Sequence, residues 1–271
     1  MRKSFFASGL FSFVILAVLI GPRVYRRVFV PPQAPAVAVE VTITIPEGFT
    51  LQHIGELVEA KLGISSDDWQ AETGVDSPFE GTRPLLNSKP DSVDLEGYLF
   101  PDTYRFFPDA SAHDVVEKLL QTMAQKVSSI APVFNETDDG TYPQDLHEVL
   151  TLASIIEREV RTDADRSIVA GIFRNRLAIG MALQADSTVN YVTGKKTPGV
   201  SVEDLQIDSP YNTYKYPGLP PGPIANPGLA SIIAAANPAT TDYYYFLTTS
   251  EGKVVYAKTH EEHVANKARY R

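Results

Sequence analysis

The chain has 271 residues, 44% hydrophobic and 21% charged, enough for one large or two small globular domains. A formal net charge of −9 argues against a nucleic-acid partner and against electrostatic docking on anionic lipid. There is no cysteine, which excludes disulfides, a thiolate nucleophile and zinc–sulfur sites.

After a short tail, residues 1–4, residues 5–21 carry no charge and are just long enough for a membrane span. A cleaved signal peptide needs a small-residue site directly after the apolar core. Here Gly21, Pro22 and "RVYRR" follow, and the Ala36–Ala38 pattern comes too late. The expectation is therefore an uncleaved single-pass anchor. Basic residues flank it on both sides, so charge does not orient it. Residues 22–38 read as a stiff Pro/Ala linker.

"VEVTITIPEG" alternates as a strand and ends in a turn. "TLQHIGELVEAKLG" is an amphipathic helix with Thr50 as its cap and Gly63 as its stop. "SSDDWQAETG" predicts a short helix, "DLEGYLFPDTYRF" strand material around Pro101, and "SAHDVVEKLLQTMAQKVSSI" a second long helix. The acidic "NETDDGTYP" sets a boundary near residue 138, so residues 39–138 and 139–271 are expected to be separate parts.

A helix is predicted from Pro143 to about Arg161, with Asp145 and Glu148 spaced as a capping box. Leu146, Leu150, Ala153 and Val160 form an apolar stripe, and Glu157 points along it. Arg158 and Glu159 fall away toward His147, Glu148 and Thr151. A desolvated glutamic acid holds its proton more tightly, as a general acid must. The structural alternative is a Glu157 that borders the core and pairs with an arginine such as Arg161 or Arg174.

"DADRSIVAGIFRNRLAIG" predicts a further helix closed at Gly180, followed by the polar and aromatic "MALQADSTVNYVTG". "SPYNTYKYPGLPPGPIANPG" is too long and too aromatic for a plain connector and reads as a functional loop. A short helix at "LASIIAAANP", a hairpin turning at Glu251–Gly252 and a closing helix at "HEEHVANKARYR" complete an α+β chain without internal repeats.

In this order and spacing, "LEGYLFPDTYRF", "LTLASIIEREV", "RNRLAIGMALQADSTVNYV", "SPYNTYKYPGLPPGPIANPG" and "YYYFL…THEEH" resemble the endolytic murein transglycosylases. These are membrane-anchored enzymes that cut nascent peptidoglycan glycan strands. The resemblance implies Glu157 as catalytic acid/base, a small LysM-like module over 39–138 and an α+β catalytic domain over 139–271. It also implies an N-terminus in the cytoplasm, a catalytic domain outside the bacterial inner membrane, and peptidoglycan synthases (penicillin-binding proteins) as partners. No cofactor and no metal are expected.

A glycan groove needs neutral hydrogen-bonding groups and aromatic faces. Gln184, Asp186, Thr188, Asn190, Tyr191, Tyr211, Asn212, Tyr214 and Asn226 are the candidates, although Asn226 also suits a turn. Glu96 is the other candidate carboxylate. Facing Glu157 at about 5–5.5 Å it would make a retaining two-carboxylate muramidase; otherwise it ties the two parts together. His260 and His263 have an i, i+3 spacing but no evident third metal ligand. The non-enzyme alternative is a membrane-tethered glycan-binding scaffold.

Overall fold

The alternation read at "VTITI" becomes strand β1, Val41–Thr44, which pairs antiparallel with β2, Thr103–Phe106, in the register Val41↔Phe106 and Thr44↔Thr103. Ile43, Tyr104 and Phe106 face inward, while Thr42, Thr44 and Arg105 face solvent. The structure, a computed structural model, describes residues 39–130, 145–195 and 199–270. The expected anchor, its linker and the boundary near 138 lie outside the described residues. Among the described residues no helix is long and apolar enough to cross a membrane.

Helix α1, Leu51–Leu62, starts at Thr50, whose side chain accepts from His53 N–H, and stops at Gly63. It buries Leu51, Ile54 and Val58, three residues one turn or two apart. Helix α2, Ser66–Thr73, is capped by Ser65 and locked to α1 by Trp69, whose Nε1–H donates to Leu51 O at 3.0 Å. A buried run from Leu95 to Pro101 then leads into β2. Helix α3, Ala112–Ser129, is capped by Ser111 and adds Val115, Val116, Leu119, Leu120 and Met123 to the core.

Helix α4, Leu146–Glu159, has Asp145 as its N-cap, so the described helix starts three residues after Pro143. It is buried almost all round: every residue from Val149 to Ile156 is buried. Helix α5, Asp163–Ala178, and helix α7, Leu229–Ala236, pack on α4 and on each other. Helix α6, Asp186–Thr193, forms in the stretch read only as polar and aromatic. The hairpin pairs β3, Tyr245–Thr248, with β4, Val254–Ala257, and helix α8, His260–Tyr270, closes over it. The α+β class is the one expected. The described residues from Glu40 onward form one compact unit, with Ile43, Leu119, Leu150 and Ile232 in one continuous core.

Candidate active site

Helix α4 carries three polar side chains on one side, and each holds part of the Pro-rich segment 221–231. His147 Nε2 lies 2.8 Å from Pro221 O, and its Nδ1 lies 2.9 Å from Tyr98 Oη. A carbonyl only accepts, so Nε2 carries the proton, Nδ1 accepts, and Tyr98 donates. Two and nearly three turns further on, Ser154 Oγ accepts Ile224 N–H at 2.9 Å and Glu157 reaches the start of α7.

Glu157 is the buried end of this seam, with a side chain 7% exposed. Its Oε2 accepts Gly228 N–H at 3.0 Å and the Ser231 hydroxyl at 2.7 Å. Its Oε1 accepts Arg166 Nη2–H at 3.2 Å. Arg166 comes from the first turn of α5 and is also bound by Asp163 Oδ1 at 2.7 Å. The arginine partner is thus neither Arg161 nor Arg174. Both point outward from a turn or helix face, whereas Arg166 lies one helical turn into α5, where it faces α4. A carboxylate fixed by three donors, one of them a helix N-terminus, has both orientation and charge compensation.

A second carboxylate stands at the mouth of this site. Glu47 occupies the second position of a turn in which Phe49 N–H donates to Pro46 O and Gly48 takes φ +76°, the type II geometry that favours glycine. The turn is clamped by Asn226: Gly48 N–H donates to Asn226 O at 2.9 Å and Asn226 N–H to Phe49 O at 2.8 Å. Glu47 Oε2 lies 4.0 Å from Arg166 Nη2, and its side chain is 52% exposed. Its carboxyl is raised above the ordinary range, first by partial burial and then by the neighbouring Glu157 charge, with Arg166 opposing.

Glu96 does not pair with Glu157. It is buried against the N-terminus of α1, accepting Leu51 N–H at 3.0 Å and the Asn226 amide at 2.8 Å. Burial raises its carboxyl well above the usual range, against these hydrogen bonds. Glu96 thus ties α1 to the Pro-rich segment. Glu159, the next carboxylate of α4, has its own partner. It accepts from Ser187 Oγ at 2.7 Å, and burial raises its carboxyl.

The expected glycan contacts divide into two groups. Thr188, Asn212 and Asn226 are buried, with polar atoms committed inside the protein. Thr188 Oγ1 lies 2.8 Å from Ala185 O, and Asn212 Nδ2 donates to Leu205 O at 3.0 Å and Ile207 O at 2.9 Å. Asn226 Nδ2 donates to Phe49 O and Glu96, and Oδ1 accepts Leu99 N–H at 2.9 Å. These hydrogen bonds hold the loops together. Asn190 is also largely buried.

Gln184 is exposed at φ +50°, Tyr214 donates its hydroxyl to Asp186, and Tyr191 packs on Tyr211 with ring centroids 5.2 Å apart. The Tyr211 hydroxyl is pushed up to about 12 by burial, with Asp94 and Glu96 adding to it. Asn190 and Tyr191 edge an open groove of about 820 Å³ that also borders His53, Trp69, Asp94 and Arg158.

His260 and His263 both pack on the ring of Tyr245. Among the described residues no group of three or more His, Asp or Glu is arranged to hold a metal.

Sequence reasoning missed Glu47, Arg166 and Ser231. The signals were present: an acid in the turn "IPEG", an Asp163–Arg166 pair at i, i+3, and a serine in the first turn of "GLASII".

Residues 29–269 match the model of the YceG-like family. A Bacillus subtilis protein named endolytic murein transglycosylase is 46% identical over 240 residues, covering 84% of this chain and 64% of that protein. One of the same name from Streptococcus pneumoniae is 35% identical, covering 88% of this chain and 46% of that protein. The chain therefore spans less than two thirds of the length of these relatives. The crystal structure of a YceG-like protein from Listeria monocytogenes superposes with a TM-score of 0.74 at 36% identity, over 83% of this chain and 75% of that one.

Proposed function

This chain belongs to the YceG-like family, and on that premise we propose that it is an endolytic lytic transglycosylase of peptidoglycan glycan strands. The observation that carries the reading is Glu157, a nearly buried carboxylate oriented by Arg166, Gly228 and Ser231. In this reaction the acid form of Glu157 protonates the glycosidic oxygen between the muramoyl and glucosaminyl residues as the C1–O bond breaks. The resulting carboxylate then takes the proton from the C6 hydroxyl of the muramoyl residue, whose oxygen bonds to C1. The product carries a 1,6-anhydro ring, no water is consumed, and the acid is regenerated. One carboxylate serves both steps, in contrast to the two of a hydrolase. With Glu96 committed to α1 and Asn226, a Glu96-assisted hydrolysis has no support.

Tyr191 and Tyr211, with Gln184, Asp186 and Tyr214, are the proposed glycan contacts. The strand–helix–helix–strand order of residues 41–106 supports a small LysM-like glycan-holding module ahead of the catalytic helices. Residues 5–21 would anchor the chain in the bacterial cytoplasmic membrane with its bulk outside, near the peptidoglycan synthases, where cutting would end strand elongation.

The test is digestion of peptidoglycan by the full chain, followed by mass spectrometry of the new ends. Anhydromuramoyl ends, one water lighter than hydrolysed ends, are expected, and Glu157→Gln should lower the rate by roughly 10²–10⁴-fold while keeping fold and glycan binding. Reducing ends would make the protein a muramidase. Tight binding without any cleavage would make it a scaffold.

A further inference from the structure

Two carboxylates meet one guanidinium at this site. Arg166 Nη2 is 3.2 Å from Glu157 Oε1 and 4.0 Å from Glu47 Oε2, so the two glutamates lie no farther apart than these contacts together reach. Arg166 Nη1 is held by Asp163, which leaves Nη2 to be shared. The glutamates differ in access, at 7% for the Glu157 side chain and 52% for Glu47.

The Glu47 carboxylate also lies over the start of α7. A Cβ at residue 228 would stand 1.9 Å from Glu47 Oε1. Gly228 has an ordinary φ of −75°, so it provides room and not unusual backbone freedom. The same residue gives its N–H to Glu157.

The acid step constrains which Glu157 oxygen carries the proton. Oε2 already accepts two hydrogen bonds, one from the Gly228 N–H, which can only donate, and one from the Ser231 hydroxyl, which would have to turn to make room for a proton there. Oε1 faces Arg166 alone. A proton on Oε1 displaces the guanidinium, which must find another acceptor, and the one beside it is Glu47.

We propose that Glu47 is a positioning residue that takes Arg166 from Glu157 when Glu157 is protonated and returns it when the proton has been given up. The inference rests on Glu157 being the acid/base of the proposed reaction. Glu47 itself touches no reacting atom. The charged groups around the pair are Arg166 and Asp163 from α5, Arg158 from α4, whose Nη1–H donates to Gly48 O at 3.2 Å, and the N-terminus of α7. The Glu47 carboxyl is raised first by partial burial and next by the Glu157 charge, which Arg166 only opposes, in accord with a cation shared between two carboxylates.

The test is the pH–rate profile of strand cleavage by the full chain, for wild type, Glu47→Gln, Glu47→Asp and Glu157→Gln. In Glu47→Gln, Arg166 stays on Glu157 and favours its ionised form. The alkaline limb should then move about one pH unit lower, with kcat at neutral pH down about tenfold and KM within about twofold. Glu47→Asp, which keeps the charge, should bring the limb most of the way back. Glu47 is half exposed, so thermal midpoints should be nearly unchanged in both. An unmoved profile, or a lowered midpoint with a wild-type profile, overturns the inference. Complete loss of cleavage at every pH also overturns it, because Glu47 would then act on substrate directly. If Glu157→Gln is inactive while Glu47→Gln matches wild type, only this inference falls. If Glu157→Gln cleaves normally, the acid/base reading falls with it.

Discussion

Asn226→Ala separates a scaffold role from a substrate-binding role. The native side chain is completely buried and makes three hydrogen bonds, to Phe49 O at 2.9 Å, to Glu96 Oε1 at 2.8 Å and from Leu99 N–H at 2.9 Å. After truncation Phe49 O still accepts from Asn226 N–H, and Glu96 still has Leu51 N–H. Leu99 N–H loses its acceptor, which costs about 1–3 kcal/mol for a buried donor, and the weakened Glu96 contact adds about 1 kcal/mol more. With the small void left by the amide, the loss is about 3–5 kcal/mol, a large share of the ~5–15 kcal/mol of a typical domain. For a chain of this size that lowers the midpoint by about 10 °C. Differential scanning calorimetry reads it directly, and Asn226→Asp, which sets a second carboxylate against Glu96, should melt lower still as pH rises above the carboxylate range. A midpoint within about 2 °C of wild type, together with lost cleavage, would refute the scaffold argument and return Asn226 to the substrate.

Three further outcomes are expected. Burial raises the Glu159 carboxyl above 4.5, so its contribution to stability is complete below that value and is lost as pH rises through the folded-state value; Glu159→Gln should flatten the fall in midpoint over that window and keep most activity. His147→Ala strips both Pro221 O and Tyr98 Oη of their partner and should cost about 2–4 kcal/mol in denaturant melts, with faster amide exchange across residues 219–225. Ser231→Ala removes one donor to Glu157 Oε2 and should lower kcat about tenfold with little change in KM, read in the strand-cleavage assay.

Elements set by local chemistry were legible in the sequence. Thr50, Ser65 and Ser111 cap the helices they were expected to open or precede, and Gly63 stops α1 at φ +71°. Glu157 stood out because an apolar stripe makes a carboxylate conspicuous. What could not be read was the company it keeps. Arg166, Gly228 and Glu47 reach it across separations that no periodicity records. The same limit explains Thr188, Asn212 and Asn226. A polar residue in a Pro-rich loop looks the same in sequence whether its amide faces a ligand or pins two loops together. Helix α6 was hidden for a different reason: Asp186–Thr193 is short, begins without a side-chain cap and buries Ser187, Thr188 and Asn190 on what would otherwise be its polar face.

The bond between Ser231 and Glu157 spans 74 residues of chain, and the Glu47 turn adds a segment from near the start of the fold. At about 5–20 residues per second of synthesis, Glu157 emerges several seconds before the helix that orients it. During that interval α4 has neither its Ser231 donor nor the Gly228 amide, and Ser154 and His147 have no loop to hold. A chain halted or clipped before residue 228 would carry the acid without its setting. The setting of Glu157 is thereby linked to synthesis past residue 231.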